Sequence, residues 1–158
     1  TGGSSHTASI GSKAPHMQDH RKESDMTAMT LSSALSSHHL GPVLDALARH
    51  SFHAVMISEA KPGTPVIYVN EAFTALTGYS AEETLGKSPG FLQGPSTDRA
   101  VLDRLRDDML AGRVFEGEAV NYRKDGSAFT MHWRLVPVDD GAGKAAYFVA
   151  FQREAASG

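Results

Sequence analysis

The sequence predicts an α+β domain: a five-stranded antiparallel sheet with short helices on one face and a flanking helix at its N-terminal side. Three observations carry this. Composition breaks near residue 40, because residues 1–30 hold only Ile10 among branched aliphatic and aromatic side chains, too little apolar surface to offset ordering. Beyond the break, strand-like and helix-like stretches follow in the order β-β-α-α-α-β-β-β, which suits an antiparallel sheet with segregated helices. Residues 128–138 also alternate cleanly, with Phe129, Met131, Trp133 and Leu135 on one face and Thr130, His132 and Arg134 on the other.

Taken in order, residues 42–50 (PVLDALARH) put Val43, Leu44 and Leu47 at helical spacing behind Pro42 in a first-turn position. Residues 53–58 and 66–69 are short β-rich runs around a Pro-Gly-Thr-Pro turn, a hairpin signal. Asn70 caps a helix over 71–77 that Gly78 closes. Ser80 and Glu83 form a capping box for a second short helix. Val101, Leu102, Leu105, Met109 and Leu110 share one face of the longest helix, 98–111, which Gly112 ends. Residues 115–123 turn through Lys124-Asp125-Gly126 into 128–138, and Gly141-Ala142-Gly143 leads into a last strand over 145–153.

The 158 residues fit one domain at roughly 100–200 residues each. Residues 1–16 are read as a vector-derived leader with Met17 as the native start, 17–40 as a flexible segment, 41–154 as the folded domain and 155–158 as a tail. No secretory h-region is visible, which points to the cytoplasm, and no run is long enough for a membrane helix. A net charge of −3 and a pI near 6.2 give no reason to expect nucleic acid or anionic lipid as a partner. There is no cysteine, so disulfides, thiolate metal sites and thiol nucleophiles are excluded together.

The stretches YVNEAFTALTGYSAEETLGK, FLQGPSTD, NYRKDGSAF and YFVAFQ, in that order and spacing, resemble PAS domains. FLQGPSTD followed by NYRKDG is similar to the light-oxygen-voltage (LOV) branch, which binds FMN or FAD. The resemblance covers about residues 50–154. It implies a flavin-binding sensory domain and no enzyme, and it also exposes a departure. LOV domains typically read G-[RK]-N-C-R-F-L-Q where this chain reads Gly86-Lys87-Ser88-Pro89-Gly90-Phe91-Leu92-Gln93. Pro89 stands in the place of the photoactive cysteine whose sulfur adds to the flavin under blue light. With three neighbouring changes, natural divergence is favoured over a single engineered knock-out.

By the same resemblance, Asn121 and Gln152 match two of the amides that meet the flavin's pyrimidine edge. Met131 takes the place of a third. An edge that alternates carbonyls with a ring N–H calls for amide partners, which both donate and accept. Gln93 matches a ribityl contact and Ser88 offers a hydroxyl where asparagine is usual. Of two phosphate-gripping arginines, Arg106 matches one and Gly90 replaces the other, with Lys87 or Arg104 as nearby substitutes. Each residue has a structural alternative: Asn121 a strand end beside a turn, Gln152 a solvent-facing side chain, Arg106 a solvated charge, Met131 and Trp133 plain core.

The eight histidines show no metal-ligand spacing, residues 94–115 hold none for a haem, and the common hydrolase and nucleotide motifs are missing. The expected function is therefore sensory. A flavin is bound non-covalently and blue light or redox state is read by its reduction. Gln152, facing N5 by resemblance, reorients its amide and re-packs the sheet and the flanking helix. The alternative is a flavin-free interaction module. Expected partners are the flavin, a second copy of the chain through the sheet face or N-terminal helix, and a separate effector protein.

Overall fold

The computed structural model describes residues 2–3 and 29–157. The expected leader, apart from Gly2 and Gly3, and most of the expected flexible segment lie outside the described residues. Residues 1–40 form one unit and 41–158 a second. In the first, Thr30 caps a short helix α1 (Leu31–Ala34) through a reciprocal pair of hydrogen bonds with Ser33. Part of segment 17–40 is thus helical in the structure.

Helix α2 (Ser37–Arg49) corrects the expected 42–50: Pro42 lies inside it, more than a turn from its start. A proline there removes the N–H bond to the carbonyl one turn back and its ring crowds that same carbonyl, a local strain on the N-terminal half of the helix. None of its residues is buried.

The sheet follows. Strands β1 (Ala54–Glu59) and β2 (Val66–Val69) form the hairpin, and after the helices come β3 (Phe115–Tyr122), β4 (Ala128–Asp139) and β5 (Ala145–Glu154). All pairs are antiparallel and the spatial order is β2-β1-β5-β4-β3, so the last strand is the central one. Between β2 and β3 run α3 (Glu71–Thr77), α4 (Ala81–Thr84), a 3-10 turn (Pro89–Leu92) and α5 (Arg99–Leu110). The 3-10 turn is an element that helical periodicity, which needs longer runs, does not reveal.

Caps fix these boundaries. Asn70 accepts from Phe73 N at 3.0 Å, and Gly78 closes α3 in the left-handed region at φ +78°. Ser80 and Glu83 bond reciprocally at the start of α4, and Asp98 caps α5.

Apolar side chains of the helices and of the sheet's inner face meet in one core, with Phe73 and Phe115 fully buried. Each such ring stabilises the fold by about 1.5–3 kcal/mol relative to exposure. The expected alternation holds from Phe129 to Leu135: Phe129, Met131, Trp133 and Leu135 are buried while Thr130 and Arg134 face solvent.

Both sheet edges are partly covered. On β3, Thr97 Oγ1 donates to Val120 O at 2.6 Å and Arg104 to Glu116 O at 2.9 Å. On β2, Val66 N donates to Lys87 O and Gly86 N to Val66 O. Among the described residues no helix is long and apolar enough to cross a membrane.

Candidate functional site

A cavity of about 330 Å³ lies between the inner face of the sheet and the segment running from the 3-10 turn through α5. Met56 and Ser58 from β1, Asn121 from β3, Met131, Trp133 and Leu135 from β4, and Ala150 and Gln152 from β5 make one wall. Ser88, Pro89, Gly90, Gln93 and the α5 residues Leu102, Leu105 and Met109 are among those on the other. Its volume is at the small end of the range for ligand pockets. No ionisable side chain lines it, so amides and hydroxyls supply its polarity.

The strand register explains why the amides converge. Period-two alternation brings Asn121, Met131, Trp133 and Gln152 to one face of three adjacent strands. Gln152 is cross-strand neighbour to Trp133 on one side and Ala54 on the other. It is only 4% exposed, and Asn121 only 5%, which removes the solvent-facing alternative for Gln152.

Their hydrogen bonding is incomplete. Gln152 Oε1 is buried without a partner, the one such side-chain atom among the described residues. Asn121 Nδ2 reaches only the thioether of Met131, at 3.5 Å, a weak acceptor. Buried amides normally find partners, and an unmet one costs about 1–3 kcal/mol. Two under-satisfied amides spanning β3 to β5 are a donor-and-acceptor set open toward the cavity.

Six of the seven sequence-derived site residues line this cavity: Ser88, Pro89, Gln93, Asn121, Met131 and Gln152. Arg106 does not. Its guanidinium is solvent-exposed and meets Asp103 at 3.5 Å, and it borders a separate groove of about 290 Å³. The helix turns it outward because the core face of α5 is taken by Leu102, Leu105 and Met109.

The two expected substitutes are engaged elsewhere. Lys87 lies over the rings of Tyr79 and Phe91, and Arg104 over Phe115. Arg99, which sequence reasoning passed over, lines that groove and a neighbouring one, both sharing Gln93 and Leu102 with the cavity. Only its place at the start of α5, beside the helix cap, hinted at this.

Also missed were the Ser58 and Thr64 hydroxyls on the cavity wall. Thr64 adopts φ +41°, a strained value for a β-branched residue.

Behind the cavity, on the outer face, Glu116 accepts from Arg134 at 2.7 Å and contacts His132 Nε2 at 2.9 Å. Arg153 donates to His132 Nδ1 at 3.0 Å. Arg134 first, then His132, hold the Glu116 carboxyl below its usual 4.5. A depressed carboxylate contributes stability above its unfolded pKa, and that contribution fades as pH falls through the folded value. Glu116→Gln is therefore expected to flatten the stability-against-pH curve below about pH 4.5, as read by urea unfolding; an unchanged acid limb would contradict it.

A family model described as "PAS domain" matches residues 53–155, most of the chain and every wall of the cavity. The chain is a PAS domain. Its relatives place it in the LOV branch. It is 40% identical over 110 residues to phototropin-2 of Oryza sativa and 36% identical over 107 residues to a blue-light-activated histidine kinase of Rhizobium johnstonii. These alignments cover 70% and 68% of this chain but only 12% and 31% of the relatives, so the chain spans under a third of either.

Among solved structures, the LOV domain of an Erythrobacter litoralis blue-light activated histidine kinase has 34% identity and a TM-score of 0.63. The match covers 66% of this chain and 97% of that one. An RNA-binding light-oxygen-voltage receptor gives 32% identity, a TM-score of 0.72, and coverage of 80% and 37%. Within this LOV-branch PAS domain, no residue of the chain carries a thiol.

Proposed function

We propose that this domain is a sensory module that holds FMN or FAD non-covalently and reads blue light or redox state through flavin reduction, without a cysteinyl bond. The carrying observation is the buried, unpartnered Gln152 Oε1 facing a cavity that Asn121 also lines. That pair suits the pyrimidine edge of a flavin, whose carbonyls and N–H need both acceptor and donor. Bound there, a flavin supplies a blue-absorbing ring that takes up and releases electrons and a proton.

The chain's own residues do the rest. Asn121 and Gln152 orient the ring, Pro89 and Leu92 exclude water, and Arg99 and Arg106, in the groove beyond Gln93, meet the anionic tail. Gln152 turns its terminal amide, whose torsion is soft, to present Nε2 in place of Oε1. Its backbone partners on β1 and β4, and its neighbour Arg153 on the outer face, carry the change out of the cavity. The output then passes to an effector protein or to a second copy of the domain.

The test is a visible absorption spectrum of the protein in the dark, after incubation with FMN or FAD, and after blue illumination. A structured flavin band that bleaches under light and returns in air supports the reading. A protein that stays colourless in excess flavin overturns it. Met131→Asn, which offers the ring a third amide, is expected to tighten flavin binding by about tenfold, the worth of one buried hydrogen bond. Unchanged or weaker binding in a fluorescence titration would count against the assigned ring position.

A second reading, a flavin-free interaction module, is favoured by one set of residues. Ile67, Val138, Tyr147 and Phe151 on the sheet are each at least 40% exposed, an apolar surface suited to self-association. A colourless protein that dimerises through this face would support it.

A further inference from the structure

We infer that Trp133 is the internal electron donor for flavin photoreduction in this domain, an inference that rests on the flavin reading above. A chain without cysteine has to take the electron from another oxidisable side chain or directly from solution, and the cavity wall offers few choices. Trp133 is the one tryptophan of the chain and the one aromatic residue lining the cavity. The tyrosines are outside that lining: Tyr79 packs edge-on against Phe91 at 4.9 Å, and the Tyr122 hydroxyl accepts from Ser96 N at 3.0 Å. The thioethers of Met56, Met109 and Met131 do line it, but thioethers give up an electron less readily than an indole.

The fold also fixes where the indole sits. Trp133 is 7% exposed and is the direct cross-strand neighbour of Gln152, so the two side chains lie side by side on one sheet face. On its other side is Gly117, where a Cβ would come within 2.6 Å of the Phe115 ring. The glycine leaves that ring free to support the indole, with centroids 5.1 Å apart. A buried, braced ring beside the amide that meets the flavin is held in place and shielded from bulk water.

The step is a single electron transfer. The indole is oxidised by one electron and the light-excited isoalloxazine is reduced by one. No bond forms or breaks and no proton moves. A soluble thiol then returns an electron to the indole and is itself oxidised.

The experiment compares FMN-loaded wild type, Trp133→Phe and Trp133→Tyr in a fixed concentration of a soluble thiol without oxygen. Two quantities are read: flavin fluorescence lifetime and the rate of bleaching under blue light. The expected result is a short lifetime and fast bleaching in wild type. Trp133→Phe should show a lengthened lifetime and loss of most of the bleaching, with Trp133→Tyr, a weaker donor, in between. Equal lifetimes and equal bleaching in wild type and Trp133→Phe would overturn the inference while leaving the flavin reading intact. If Trp133→Phe does not load, an unchanged lifetime in Trp133→Tyr overturns it equally. Failure of the wild type itself to bind FMN ends both.

Discussion

Asn70→Ala is expected to destabilise the domain by about 4 kcal/mol, the largest effect of any single substitution considered for stability. The amide is 4% exposed and joins three elements at once. Oδ1 accepts from Val55 N at 2.9 Å and from Phe73 N at 3.0 Å, and Nδ2 donates to Ala48 O at 2.9 Å and His53 O at 3.0 Å. Truncation strands these groups together and removes the cap of α3. Against a typical total of about 5–15 kcal/mol, that leaves a protein close to unfolding. Urea denaturation followed by circular dichroism should show a midpoint lowered by about 2 M. Asn70→Asp, which keeps the acceptor and loses both donors, should fall between. A midpoint equal to wild type would show that the four bonds are not coupled to folding.

Gln152→Leu should separate binding from signalling. The substitution removes the buried, unpartnered Oε1, so the flavin-free protein is expected to gain about 1 kcal/mol of stability. One of the two amides proposed to meet the ring is lost with it, so flavin affinity should drop by no more than about tenfold. The light-induced change in hydrogen exchange over residues 41–55 should vanish. Ala54 is the backbone partner of Gln152, and Asn70 ties Val55 to the end of α2. A Gln152→Leu protein whose exchange responds to light like wild type would sink the amide-turning mechanism.

Local chemistry made most of the fold legible in the sequence. Asn70, Ser80 with Glu83, and Gly78 cap their helices through neighbours a few residues away, so the caps could be placed without tertiary knowledge, although the longer-range bonds of Asn70 could not. The 128–138 strand was readable because one face is buried from Phe129 to Leu135. What stayed hidden depends on longer range. The direction Arg106 faces is set by which side of α5 meets the core, and four charged neighbours in DRLRDD leave that undecided. The 3-10 turn at Pro89–Leu92 is too short for periodicity, and Thr64 holds a left-handed backbone that its residue type argues against. The site was legible as residue types through family resemblance. That Asn121 and Gln152 are under-satisfied follows only from the packing around them.

The partly covered sheet edges bear on how copies of this domain could meet. Thr97 and Arg104 occupy carbonyls along β3, and the Gly86–Lys87 backbone occupies the start of the four-residue β2. An open edge recruits any extended chain, because backbone pairing is indifferent to sequence. Here part of that indiscriminate route is already taken, whereas contact through the broad outer face would depend on side-chain shape and charge. Assembly of this kind is saturable: two faces meet and none is left to template a third.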